Sequence, residues 1–161
     1  MTGIFFAAVG IVCFVTTAFT NEPSRDWPCW RGPRADGVAD DRKLPTRWSS
    51  SENIRWSVTL PGWGTSSPVV YGGRVFVTSE LNHEGKKSLL TLGFDRAEGR
   101  ELWRDDFGLG VNQRVHEKST LAVNTPAVTA EAVSVAFGNA DIVRYSHDGK
   151  LLWVNRHSPG G

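Results

Sequence analysis

Apolar and polar positions along this chain alternate in short runs, and the runs recur twice in the same order. The first series holds "SSPVVYGGRVFVTS" (66–79) and then "LLTLGFDRAEGRELWRDD" (89–106). The second holds "NTPAVTAEAVSVAFG" (124–138) and then "DIVRYSHDGKLLWVNR" (141–156). Pro68 aligns with Pro126, the turn "DRAEG" with "HDG", and Trp103 with Trp153. Each series predicts four short strands, at 65–70, 74–78, 89–94 and 100–105, and at 124–128, 132–137, 142–146 and 151–155. Val69, Val75, Val77, Val133 and Val135 are β-branched residues suited to a pleated sheet. "YGGR" and the "DG" at Asp148–Gly149 supply residues that accept positive φ in tight hairpins. "LNHEGKK" lengthens the first series and is expected to form a longer hairpin loop.

The repeat has a tryptophan at a fixed offset. Trp56 in "NIRWSV" precedes the two series, and Trp56, Trp103 and Trp153 lie 47 and 50 residues apart. Four antiparallel strands at this period, with no predicted helix, form the sequence pattern of a β-propeller blade. A Trp on the outermost strand of a blade can lie over the neighbouring blade and bury roughly 150–250 Å². A single blade cannot cover both of its faces, so such docking is expected to hold blades together. The fold expectation is all-β: about two four-stranded blades of an incomplete seven- or eight-bladed propeller.

Composition narrows the function. The 161 residues carry 18 basic and 17 acidic side chains. This balance argues against nucleic acid as a partner, because phosphate contacts need clustered Lys and Arg. Seven tryptophans and seventeen glycines fit β-structure with tight turns. Residues 4–19 form a continuous apolar stretch, shorter than the roughly 20 residues of a spanning helix. Residues 1–20 therefore read as a secretory signal peptide, with an uncleaved membrane anchor as the alternative. Cys13 lies inside that stretch, without the small residue that precedes a lipidated cysteine. Cleavage would leave Cys29 as the single cysteine, so neither an internal disulfide nor a CxxC metal pair is expected. Cys29 reads as a half-buried small hydrophobe; a reactive thiol would need a nearby His or Lys.

Residues 21–52 read as an extended lead-in and 53–161 as partial repeats. The lead-in contains "DWPCWRGPRADG" (26–37), expected to pack its tryptophans outside a ring closure made by "NIRWSVTL". Candidate chemistry is sparse. "GWGTSS" (62–67) lacks the following GK[ST] and helix of a phosphate loop and reads as a tight lead into a strand. His116, Glu117 and Lys118 form a polar cluster before a strand, read as a solvated loop, with a general base as the sharper alternative. His83 and His147 read as surface positions. Asp95 and Asp148 begin turns whose backbone amides their carboxylates are expected to accept.

The repeats "LLTLGFDRAEGRELW" and "IVRYSHDGKLLW" resemble those of pyrroloquinoline-quinone-type (PQQ-like) propellers. "WPCWRGPRADG" followed by "GWGTSSPVVYGGRVFVTS" is similar to the start of secreted PQQ-like propeller proteins of planctomycete-type bacteria. The resemblance implies a larger ring, so the chain is expected to be an N-terminal fragment or truncated product of a longer protein. Quinoprotein dehydrogenases of that superfamily carry an adjacent Cys–Cys pair and a Glu/Asn/Asp set around calcium, and no motif here matches these. The resulting expectation is a secreted or periplasmic, non-catalytic binding or scaffolding module, with no catalytic, cofactor-binding or metal-binding residue assigned. Its expected partners are other proteins or further blades, with membrane contact only through an uncleaved leader. The alternative is the N-terminal part of a quinoprotein oxidoreductase, for which PQQ and calcium would be the cofactors. Fold alone does not decide between the two.

Overall fold

The computed structural model describes residues 25–40, 44–84, 86–108 and 115–156; the proposed signal peptide lies outside them. The described residues contain no helix. Eight strands run in chain order: β1 (Val69–Tyr71), β2 (Arg74–His83), β3 (Lys86–Asp95), β4 (Glu101–Gly108), β5 (Ala127–Val128), β6 (Val133–Ala136), β7 (Ile142–Tyr145) and β8 (Leu151–Asn155). They form two four-stranded antiparallel sheets, ordered β1-β2-β3-β4 and β5-β6-β7-β8. The two sheets are the two blades read from the sequence.

The turns explain the short connections. Tyr71 pairs with Arg74 across Gly72 and Gly73, whose φ values of +52° and +82° suit a two-residue hairpin. The expected long loop at "LNHEGKK" is not found. Instead β2 and β3 continue their ladder to His83↔Lys86, so residues 81–83 and 86–87 are strand. The polar residues there alternate along two exposed strand ends, and period-2 pairing accommodates them as readily as a loop.

Burial separates the blades. Residues 75–80 of β2 are buried without interruption, whereas β6 (Val133–Ala136) is covered at Val133 and Val135 and open at Ala136. Blade 1 is thus sandwiched, because side chains on both faces of a strand are covered only when something packs on each side. On one face Val75, Val77, Leu90, Leu92 and Phe94 pack under Trp56 and Leu60 of the segment that precedes β1. On the other, Val69, Phe76, Leu89 and Phe107 share a core with Val128, Val133, Val135, Phe137, Val143 and Tyr145 of blade 2.

The lead-in also crosses the strands where the blades meet. Trp27 exchanges two backbone hydrogen bonds with Val70, at 2.7 and 2.9 Å, and Val128 donates its N–H to Pro28 O at 2.8 Å. "DWPCWRGPRADG" therefore bridges β1 and β5. Trp27 is half-buried over Gly32, whereas Trp30 is 64% exposed. Cys29 is half-buried and its thiol donates to Gly32 O.

Candidate functional site

The junctions between layers repeat one geometry. Trp56 Nε1 donates to Arg96 O at 2.9 Å, and its ring covers Gly99 so closely that an added Cβ would lie 2.5 Å from the indole. Trp103 Nε1 donates to His147 O, also at 2.9 Å, and its ring covers Gly149 at the same 2.5 Å. Both glycines have positive φ, +72° and +84°. Each junction thus joins an indole N–H to the second carbonyl of a turn, with the ring flat on the turn glycine. Trp103 also lies over Gly93 in its own sheet and packs against Phe76 and Tyr145, with ring centroids 5.9 and 5.5 Å away.

The turns that receive the two tryptophans are capped differently. Asp95 Oδ1 accepts the amides of Ala97 and Glu98 at 2.8 and 2.9 Å, as the sequence suggested. Asp148 instead reaches across to the Arg74 guanidinium of blade 1. Ser146 takes the position of Asp95: its N–H bonds Lys150 O, its O accepts from Gly149, and its Oγ accepts from Lys150 N–H. The second turn is shorter, which moves its first residue from Asp148 back to Ser146. His147 is not a free surface residue either. It is half-buried, its ring lies 5.4 Å from Tyr71 and 6.3 Å from Phe76, and Nε2 lies 2.9 Å from Thr129 O.

Two polar contacts between the blades were not foreseen. Glu80, 8% exposed, holds Lys87 Nζ through Oε1 at 2.9 Å and accepts Leu121 N–H through Oε2 at 2.7 Å. An acid inside the apolar run "VFVTSEL" was the available signal, but its lysine lay in residues read as a loop. Tyr145 Oη, from blade 2, donates to Asp105 Oδ2 of blade 1 at 2.7 Å. Burial pushes the Tyr145 phenol above its ordinary range, and the bond to Asp105 pushes it further.

The remaining candidates stay apart. His116 Nδ1 accepts Lys118 N–H at 3.2 Å in an exposed turn, with Glu117 and Lys118 also exposed. His83 is exposed at the end of β2. In "GWGTSS", Trp63 exchanges backbone hydrogen bonds with Glu80 and leads into β1, and Gly62 meets Glu80 O too closely for any Cβ. No group of three or more His, Cys, Asp or Glu among the described residues could hold a metal ion.

One cleft opens beside the lead-in, with a volume of about 720 Å³. Arg25, Arg55 and Arg96 line it with the Trp56 ring; Pro68, Val70 and Val75 form its apolar part. Asp26 lies 3.7 Å from Arg96 Nη1 and also accepts Gly72 N–H.

Residues 38–159 match the protein family described as "Outer membrane protein assembly factor BamB". The chain belongs to that family. No curated protein matches it significantly. Among solved structures, the crystal structure of BamB from Moraxella catarrhalis is 16% identical, covers 60% of this chain and 37% of its own, and has a TM-score of 0.31. A europium-containing methanol dehydrogenase is 15% identical over 63% of this chain and 26% of its own, also with a TM-score of 0.31. The chain spans well under half the length of either structure.

Proposed function

We propose that this BamB-family chain is a non-catalytic, extracytoplasmic scaffold whose blades present binding surfaces to other proteins. The observation that carries the reading is the use of the polar groups at the blade junction. Glu80 is held by Lys87 and Leu121 N–H, and Asp105 by the Tyr145 phenol. Through Leu121 N–H and the Tyr145 phenol the two carboxylates tie one blade to the other, and a carboxylate so committed is poorly placed to exchange a proton with substrate. The description of the family as an outer-membrane assembly factor supports an extracytoplasmic place.

The second surface of this scaffold is the outer face of blade 2. Trp153 is 44% exposed, and the residue paired with it is Arg144, where Trp103 has Gly93. A further blade, presenting a turn glycine and a free carbonyl, would complete the Trp153 junction as Gly149 and His147 complete that of Trp103. The catalytic alternative is tested by adding pyrroloquinoline quinone and calcium to the purified protein, with short alcohols and a redox dye. The scaffold reading expects neither a stoichiometric bound-quinone spectrum nor dye reduction; a saturable quinone spectrum would overturn it.

A further inference from the structure

Thr78 and Thr91 are buried in the middle of blade 1, and among the described residues neither hydroxyl has a hydrogen-bond partner. A hydroxyl buried without a partner gives up its hydration for nothing in return. The two residues face each other in the β2–β3 ladder. Thr78 N–H donates to Ser66 Oγ, and Thr78 O accepts from it, both at 3.3 Å, so the backbone groups of Thr78 point away from β3. Thr78↔Thr91 is therefore a non-hydrogen-bonded pair, the kind in which facing side chains come closest.

The pair belongs to a polar row that crosses the shared core. Asp105 of β4 is the ladder partner of Thr91, so Thr78, Thr91 and Asp105 stand side by side on one face of blade 1. That face is turned to blade 2. Phe76 stands two residues before Thr78, Leu89 two before Thr91 and Phe107 two after Asp105, and all three share a core with Val133, Val143 and Tyr145. Tyr145 closes the row: its phenol donates to Asp105 Oδ2 and stands beside the Thr91 hydroxyl. The row therefore has a carboxylate and a phenol already joined, next to two hydroxyls that each have a proton to give and lone pairs to fill.

We propose that a buried water molecule binds between the blades and bridges the Thr78 and Thr91 hydroxyls to the Tyr145–Asp105 pair. Water both donates and accepts twice, which matches a row whose open groups are of both kinds, and buried waters typically make about three such bonds. A cation suits the row less well. The other carboxylate on this face, Glu80, already holds Lys87 Nζ and Leu121 N–H, which leaves Asp105 as the row's one negative charge. Asp105 is half-buried, so the seam reaches towards solvent at that end. The bridge gives the junction directional bonds where the surrounding valines offer only contact, and so helps to fix one blade's position on the other.

The inference is independent of the scaffold reading, because the seam lies inside the blade junction whatever the outer surfaces do. Magnetic relaxation dispersion of the water oxygen, measured on the intact protein, detects internal waters that outstay bulk solvent. The native protein is compared with T78V/T91V, which keeps the side-chain shape and removes both hydroxyls, and with T78S/T91S, which keeps the hydroxyls. The valine pair should lose the contribution of one internal water and unfold at a lower urea concentration; the serine pair should retain that contribution. An unchanged dispersion in T78V/T91V would overturn the site, as would a urea midpoint that rises because two orphan hydroxyls have left an apolar core. The native protein alone supplies a second check that needs no substitution. Cross-relaxation from a long-lived water to the Thr78 and Thr91 methyl protons is expected, and its absence would show that the two hydroxyls bond each other directly and that no water bridges the blades.

Discussion

The indole of Trp103 requires two things of the turn that receives it: a backbone without a Cβ and a carbonyl without a partner. Gly149 and His147 O supply them, and Gly99 and Arg96 O do the same for Trp56. Trp153 has the same offset in the repeat, yet 44% of it stays exposed. The three residues look equivalent in the sequence, but in this structure their energetics differ. Trp103→Ala should cost about 3–5 kcal/mol, as large-to-small changes at packed aromatic sites do. Trp153→Ala, at a surface with little packing to lose, should cost less than about 1 kcal/mol. Urea midpoints of the two variants check this, and equal losses would refute the docking account. Gly149→Ala tests the other half of the junction. At φ +84°, with an indole atom 2.5 Å from the new Cβ, it should cost more than about 1 kcal/mol.

At the scale of elements, much of the fold was legible because blade strands carry period-2 patterns and glycine turns. β8 (Leu151–Asn155) has the predicted bounds, and both "YGG" glycines have positive φ. What was not legible depended on pairing across distance. The ladder from Leu81 to Lys87 looked like a loop, because polar strand ends resemble loops until their partner is known. Ser146 was missed as the cap because the shorter turn shifts the frame that Asp95 suggested. Tyr145 and Asp105 are forty residues apart, one in each repeat, and nothing in either repeat alone marks them as partners. Their bond has a pH signature. The folded phenol is raised above its unfolded value of about 10, so the folded state holds the proton more tightly. The resulting stabilisation is complete below pH about 10 and is lost as pH rises from there towards the folded value. Stability of the native protein should therefore fall more steeply above pH 10 than that of Tyr145→Phe; parallel slopes would show that the phenol is not the titrating group. Glu80→Ala leaves Lys87 without its partner in a site 8% and 15% exposed on the two sides, and should cost about 3 kcal/mol.

At the scale of the whole molecule, the decisive feature is that the larger core belongs to neither blade. Phe76, Leu89 and Phe107 come from one sheet, and Val133, Val143 and Tyr145 from the other. Phe107 and Phe137 stack across the junction at 6.2 Å with planes 4° apart. Three polar ties add to it: Glu80 to Leu121 N–H, Asp105 to Tyr145, and Arg74 to Asp148. The lead-in crosses the same boundary through Trp27 and Pro28. A blade that opened alone would expose half of a shared core and strand Glu80, so partial opening costs nearly as much as complete unfolding. Blade 1, covered on both faces, and blade 2, covered on one, should therefore melt together despite their unequal burial. In urea, tryptophan fluorescence and far-UV circular dichroism should trace one transition with a common midpoint. Native-state hydrogen exchange should report the same free energy for β2–β3 and β6–β7, with β8 exchanging earlier by local fraying. Two separate transitions, or protection in β2–β3 that outlasts β6–β7, would show that the blades are independent units and that the shared core does not govern folding.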